Sequence, residues 1–477
     1  MEKYLQYIGG EFIKPRTGEW FDVENPYTRQ IIAQAPKGGA DDASDALEAA
    51  KKAQKDWEKR PVPERAGYLT RIAALIRANR VELARTLASE QAKVFPFAQV
   101  EIDFTSDYFD YYAGWARIYE GEIINSDRLD ESIFLFRKPI GVAAGICPWN
   151  FPFFVMARKV APALLTGCTI VIKPSSTTPN TTFAFARLVA SLDLPKGALN
   201  IVSGGGATLG DALVRNPITD MVTLTGSVEA GQEIIRASAD KVMKVSLELG
   251  GKAPAVVFAD ADLDLAARRV ADSRLLFSGQ ICNCAERAYV HRSVYEPFME
   301  KLTAAFKAAT YGDPFADPAP SMSTQVDKAQ QEKIDSMVKR AVRDGAEVIT
   351  GGNIPDMDAG YFFEPTILAN VRQDMEIVQK EVFGPVLPVL PFDDYDEAIT
   401  LANDCEYGLT SSIFSTNINT VMRALKDLKF GETYVNREHF EGMQGFHAGW
   451  RKSGIGGADG RNGLMEYLLT QTAYIQF

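Results

Sequence analysis

Between residues 142 and 258, short β-branched or apolar runs recur at intervals wide enough for helices: 142–147, 169–172, 199–202, 222–225, 245–249 and 255–258. Helical stretches such as 182–192 and 231–237 separate most of them. Strand, helix, strand at this spacing specifies a parallel sheet with helices on its faces. Such a sheet takes ligands at the carboxyl ends of its strands. A second alternating region runs from 261 to about 435, with a helix expected over 328–344 and a strand over 386–391. Residues 40–118 read as mostly helical from the acidic start at Asp41 and Asp42, with Pro61 and Pro63 breaking the run. At 477 residues, two or three domains are expected.

Two segments fit neither region. Residues 123–138 contain Ile133-Phe134-Leu135-Phe136, and the tail ends Thr472-Ala473-Tyr474-Ile475-Gln476-Phe477. Both read as strands without a home sheet, and an exposed strand edge invites pairing with another chain. A homo-oligomer, dimer or tetramer, is expected through them. A net charge of −11 disfavours nucleic acid and anionic membrane as partners. Residues 139–157 carry no charge, but Gly141, Gly145, Pro148, Asn150 and Pro152 interrupt them, so they read as buried core. The N-terminus lacks an apolar signal core. Five cysteines are too few and odd in number for a disulfide scaffold, which points to reducing cytoplasm. No His/Cys/Asp cluster has metal-ligand spacing.

The chemistry concentrates in two motifs. Cys282 lies in Gly279-Gln280-Ile281-Cys282-Asn283-Cys284, where polar neighbours suit a turn presenting a thiol. By spacing alone, Cys284 is an equal candidate for nucleophile. Glu248 lies in Leu247-Glu248-Leu249-Gly250-Gly251-Lys252, and a carboxylate at the end of a buried strand needs a task or a partner. Its bland alternative is a salt bridge with Lys252. A thiol attacks carbonyls, and a carboxylate activates the water that releases an acyl group. Asn150, held between Pro148 and Pro152, is a rigid oxyanion donor or a simple turn former. Lys173 ends an apolar run, where it reaches a ligand or solvent. Gly226-Ser227 through Gly231 opens a helix whose free amides suit a phosphate, and Gly204-Gly205-Gly206 is a similar turn; neither has G-x-G-x-x-G spacing. Glu381 reads as a loop residue.

These pieces, in this order, resemble the aldehyde dehydrogenase superfamily over essentially the whole chain. The resemblance implies an α/β fold: a Rossmann-type cofactor domain (1–121 and 139–250), an α/β catalytic domain (251–460) and a small β oligomerisation element (122–138 and 461–477). It makes Cys282 the nucleophile, Asn150 with the Cys282 backbone amide the oxyanion hole, and Glu248 the base that activates water. Lys173, placed with the catalytic group, would also bind the adenine ribose of NAD or NADP. Ser227 would take the pyrophosphate, Glu381 the nicotinamide ribose, and Trp149 and Phe383 would line the cleft. Cys147, Pro148, Ser175, Ser176, Gly206 and Gly210 complete the implied cofactor site, with Thr225, Gly226 and the Glu248-Leu249 pair.

One departure bears on the cofactor. Where NAD-preferring members commonly carry glutamate, this chain has Ser176, which does not repel a 2′-phosphate, so NADP use is expected to be open. Residues 150–159 and 436–450 most resemble the lactaldehyde and glycolaldehyde dehydrogenase branch. That resemblance places Arg158, Asn283, Glu441 and His447 at the mouth for a small hydroxylated aldehyde or, alternatively, an anionic semialdehyde. A CoA-acylating dehydrogenase is the nearest rival, disfavoured by Glu248. A cysteine hydrolase would need an activating histidine, and His291 has no supporting motif.

Overall fold

The computed structural model describes residues 1–477. Five parallel strands form the heart of the first sheet: Val142–Ile146, Thr169–Lys173, Leu199–Ile201, Met221–Thr225 and Lys244–Glu248. From Val142–Ile146 the chain builds outward through the next two strands, then returns to add Met221–Thr225 and Lys244–Glu248 on the opposite side. Strand order therefore reverses between Val142–Ile146 and Met221–Thr225, and a crevice opens at their carboxyl ends. Gln6–Ile8 and Glu11–Ile13 close one edge of this sheet, and Gly454–Ile455 pairs antiparallel with the other.

The second sheet has seven strands, six of them parallel: Thr366–Ala369, Val386–Phe392, Ala285–His291, Ala253–Val257, Thr410–Phe414 and Glu432–Val435. Glu347–Thr350 is its antiparallel edge. The 255–258 run follows the rhythm of the first sheet in sequence, yet Ala253–Val257 belongs to the second. Gly250-Gly251 carries the chain straight from one sheet to the other. The carboxyl end of the first sheet thus faces the amino end of the second, with Glu248 on one side and Cys282, just ahead of Ala285–His291, on the other.

Four helices, Ala40–Trp57, Val62–Ala78, Arg80–Gln91 and Phe95–Gly114, occupy the expected helical region. Pro61 ends the first run, but Pro63 lies in the first turn of Val62–Ala78, where its missing N–H leaves no hydrogen bond unmade. The uncharged stretch resolves into strand Val142–Ile146 and helix Pro152–Thr166, every residue of which is buried. No helix is long and apolar enough to cross a membrane.

The two unplaced segments pair with each other. Glu131–Pro139 lies between Glu122–Asn125 and Leu468–Gln476 in an antiparallel sheet, in register from Leu468↔Pro139 to Gln476↔Glu131. The tail strand starts at Leu468, and helix Gly460–Met465 precedes it. The sheet exposes Ile123, Ile124, Phe136 and Tyr474.

The crossing at Gly250-Gly251 has no room for side chains. A Cβ on Gly250 would lie 2.7 Å from Glu381 Oε2, and one on Gly251 2.7 Å from the Cys282 carbonyl oxygen. Gly67, within helix Val62–Ala78, faces open space. Gly251→Ala is therefore expected to lower Tm, with a strain cost of about 1–3 kcal/mol, and to lower activity. Gly67→Ala is expected to raise Tm, through about 0.5–1 kcal/mol of helix propensity. Thermal unfolding of the two variants beside wild type checks both signs.

Candidate active site

The loop Cys147–Phe151 leaves the first sheet at its switch point and carries Asn150. Its shape is set from beneath by buried groups that no local sequence signal marks. Lys93 Nζ donates to the Asn150 carbonyl oxygen at 2.9 Å, as does Gln91 Nε2, also at 2.9 Å. Lys93 is ion-paired with buried Glu101. Glu101 Oε1 accepts from the Phe153 and Phe154 amides at 3.1 and 3.2 Å, satisfying the first free N–H groups of helix Pro152–Thr166. The Lys93 ammonium also lies 3.8 Å from the centre of the Phe151 ring and 4.4 Å from that of Phe277. One buried cation thus touches both the Asn150 loop and the loop that leads to Cys282.

That second loop is held in left-handed backbone, with φ of 48° at Phe277, 56° at Ser278 and 76° at Gly279. Asn150 Nδ2 donates to the Gln280 carbonyl at 3.1 Å, tying the two loops together. The backbone amide of Cys282 donates to no backbone acceptor. Asn150, Glu248, Cys282, Thr225 and Leu249 line two spaces at once. They form the wall between a cleft of about 540 Å³ and a cavity of about 60 Å³.

The larger cleft brings together Cys147, Pro148, Trp149, Lys173, Ser175, Ser176, Gly226, Ser227, Glu381 and Phe383. Gly206 and Gly210 stand apart from it, in an adjoining hollow that shares Lys173. Trp149 and Phe383 meet edge to face at 5.2 Å. Ser227 caps helix Val228–Ser238 by accepting from the Ala230 amide, so the helix's amino end faces the cleft. Lys173 Nζ has one protein acceptor, the Pro174 carbonyl at 3.2 Å, and Ser176 Oγ donates to the Gly204 carbonyl at 3.3 Å. Glu381 accepts from the Gly251 amide at 2.9 Å; burial, aided by the nearby Glu286 carboxylate, raises its pKa to about 7. A lysine with a single protein acceptor, a helix amino end, a carboxyl group and two aromatic rings along one groove suit a dinucleotide.

Glu248 does not pair with Lys252. Lys252 Nζ bonds Glu286 at 2.7 Å, and Arg274 holds the other oxygen of Glu286 at 2.6 Å. Burial alone would raise the Glu286 pKa, but these two cations bring it down to about 2. Glu248 instead accepts from Thr225 Oγ1 at 3.2 Å, with Arg158 Nη1 3.7 Å away. Thr225 in turn accepts from Lys159 Nζ at 2.9 Å.

The smaller cavity contains all four residues expected at the substrate mouth. Arg158 donates through Nε and Nη2 to Asp459, at 3.0 and 2.7 Å, and through Nη2 to Glu441 at 2.9 Å. Asn283 Nδ2 donates to Glu441 at 2.6 Å. His447 Nδ1 lies 3.2 Å from Glu432. Burial works against an imidazolium there, but the Glu432 carboxylate and the Cys282 side chain hold the His447 pKa well above its usual value. Phe97, Phe104, Phe151, Phe154 and Phe440 supply apolar walls. Cys284 is buried away from the cavity, its thiol on the Ile281 carbonyl at 2.7 Å and pushed by burial to about 12.

Sequence reading missed Asp459, Glu432, Lys93 and Glu101. Asp459 had one signal, a lone carboxylate in a run of glycines, and its φ of 73° is one that aspartate tolerates better than most residues.

The comparisons with known proteins agree with this geometry. The aldehyde dehydrogenase family matches residues 12–473. Lactaldehyde dehydrogenase of Escherichia coli is 52% identical over 474 residues, 99% of each chain. Its crystal structure superposes with a TM-score of 0.98, covering 100% of this chain and 99% of that one. A 3,6-anhydro-alpha-L-galactose dehydrogenase of a Vibrio species is 44% identical over the full length of both chains. A D-glyceraldehyde dehydrogenase (NADP(+)) of Thermoplasma acidophilum is 36% identical over 99% of this chain and 96% of that one. By sequence and by fold, the chain belongs to the aldehyde dehydrogenase family.

Proposed function

We propose that this enzyme oxidises a small, neutral hydroxyaldehyde, such as lactaldehyde or glycolaldehyde, to its carboxylic acid with reduction of NAD or NADP. The observation that carries the reading is the shared wall: Cys282, Asn150 and Glu248 stand between a groove suited to a dinucleotide and a cavity of about 60 Å³. Arg158 is neutralised by Asp459 and Glu441, so the cavity lacks a free cation at that position, which favours a neutral aldehyde over an anionic semialdehyde. The most similar relative reported above is a lactaldehyde dehydrogenase.

In the mechanism we propose, Cys282 Sγ attacks the aldehyde carbon and forms a thiohemiacetal. The developing oxyanion takes hydrogen bonds from Asn150 Nδ2 and the Cys282 amide. The nicotinamide, when bound, supplies the hydride acceptor that lets the thiohemiacetal become a thioester. Glu248 then removes a proton from water, the water adds to the thioester carbon, and the acid leaves as the Cys282 thiolate is regenerated. Glu248 makes coenzyme A unnecessary. The three-stranded sheet with its exposed Ile123 and Tyr474 serves as a subunit interface, and the five unpaired cysteines suit a reducing cytoplasm.

Purified enzyme is expected to reduce NAD or NADP with glycolaldehyde in the absence of coenzyme A, followed by absorbance at the reduced nicotinamide band. Cys282→Ala is expected to abolish turnover, and Glu248→Gln to let the thioester accumulate after one burst. Ser176→Glu is expected to lower the NADP-to-NAD efficiency ratio by about tenfold or more, since it adds a charge against the 2′-phosphate; an unchanged ratio would remove Ser176 from cofactor choice.

The ionised Glu381 carboxylate accepts ribose hydroxyls more strongly than its protonated form does, and its pKa is near 7. NAD affinity is therefore expected to be full above that pH and to weaken as pH falls through it, by fluorescence titration at pH 6 and 8. Glu381→Gln is expected to flatten the dependence. Light scattering is expected to give a mass at least twice the 52.4 kDa chain, falling toward one chain in Ile123→Asp/Tyr474→Asp.

A further inference from the structure

The catalytic cavity holds two buried polar groups that nothing in the protein satisfies. Asn283 Oδ1 has no hydrogen-bond partner, and neither ring nitrogen of His439 has one. Both residues line the cavity with Cys282, and each is more than nine-tenths buried. An unpaired buried polar group of this kind carries its desolvation cost with no hydrogen bond to offset it. Two such groups, on residues of one small cavity's lining, match a ligand with both a donor and an acceptor.

The surroundings fix how each group is presented. Asn283 Nδ2 is committed to Glu441 Oε2 at 2.6 Å, so the amide orientation is set and Oδ1 is an acceptor. The His439 ring lies 5.2 Å from the Tyr434 ring, and the Tyr434 hydroxyl donates to Glu432 Oε2 at 2.6 Å. Burial, with the Arg274 cation adding to it, lowers the His439 pKa to about 3, so the imidazole is neutral and carries one N–H donor. His447 differs in its partner and its titration: it lies against Glu432, and that carboxylate helps hold its pKa well above the usual value.

We propose that His439 and Asn283 form the subsite for the substrate's hydroxyl group: the hydroxyl accepts from the His439 N–H and donates to Asn283 Oδ1. This rests on the reading of the enzyme as a hydroxyaldehyde dehydrogenase and names the group that distinguishes such an aldehyde from its deoxy analogue. His439 is a specificity-determining residue rather than a participant in bond making. A packing role on Tyr434 is the competing explanation, and it makes the opposite prediction for substrate preference.

The test compares kcat/KM for lactaldehyde with that for propanal, which has the same carbon chain without the hydroxyl. Wild type is expected to prefer lactaldehyde. His439→Phe keeps an aromatic ring on Tyr434 but removes both nitrogens, and is expected to lower the lactaldehyde-to-propanal ratio about 10- to 100-fold. His439→Gln restores a donor and an acceptor and is expected to recover much of the ratio; it also serves if the phenylalanine variant fails to fold. Asn283→Leu is expected to lower the ratio in the same direction. If wild type prefers lactaldehyde and His439→Phe keeps that preference, or loses both activities equally, the subsite is overturned while the hydroxyaldehyde reading stands. If wild type shows no preference for lactaldehyde, both fall together.

Discussion

The architecture turns on two residues without side chains. At Gly250-Gly251 the chain passes from the carboxyl end of one parallel sheet to the amino end of another, and any Cβ there would collide with Glu381 or with the Cys282 backbone. Because the passage is so tight, Glu248 is the last residue of its strand and faces the segment that ends in Cys282. A looser connection would let the sheets separate and the thiol and carboxylate with them. The Gly-Gly step therefore constrains the placement of the thiol and the carboxylate as much as it constrains the fold. It also lets the Glu381 carboxylate lie directly beneath the crossing and accept from the Gly251 amide.

Around this crossing the protein buries charge in closed groups. Lys93 pairs with Glu101 beneath the Asn150 loop, and Glu286 lies between Lys252 and Arg274 beneath the Cys282 loop. Ion pairs this deep are poor sources of net stability, because desolvation offsets most of their attraction. Breaking one is another matter, since the charge left behind is uncompensated and costs about 3–5 kcal/mol. They act as geometric locks. Glu101 ends a helix's free amides, Lys93 reaches the Asn150 carbonyl, and Glu286 accepts from the Val382 and Phe383 amides on the cleft wall. Each pair thus holds a loop in a conformation it would not keep alone.

This division explains what the sequence could and could not disclose. The parallel-sheet rhythm was legible because a fully buried strand must be apolar along its length, a local property. The glycines and polar residues around Cys282 and Glu248 are local signals too, though they left Cys282 and Cys284 equal, and only the family resemblance chose between the two thiols. Strand Ala253–Val257 continued the rhythm of the first sheet, and only the glycine pair before it signalled a change of sheet. The bland alternative for Glu248, a salt bridge with Lys252, rested on proximity in sequence, whereas the fold gives Lys252 to Glu286. Asp459 and Arg158 are 301 residues apart, and Lys93 and Asn150 are 57 apart. Contacts over such separations leave no periodicity or motif to read. The tail and residues 123–138 were each visible as strands, but the division of the latter into two strands and the nine-residue pairing of Leu468 to Gln476 against Pro139 to Glu131 were not.

The same locks shape substrate choice. An arginine at the mouth of a catalytic cavity reads, in sequence, as an anion receptor. Here two carboxylates have already claimed it: Asp459 is held by Arg158 although burial raises its pKa to about 6, and Glu441 bridges Arg158 to Asn283. The guanidinium therefore organises the cavity and attracts no anion. Its effect passes through Glu441 to the Asn283 amide, which is turned so that its oxygen has no partner within the protein. The carboxylate–guanidinium network thus leaves, among the residues that line the cavity, an amide oxygen and a neutral imidazole without protein partners, a pairing that matches the proposed hydroxyl group.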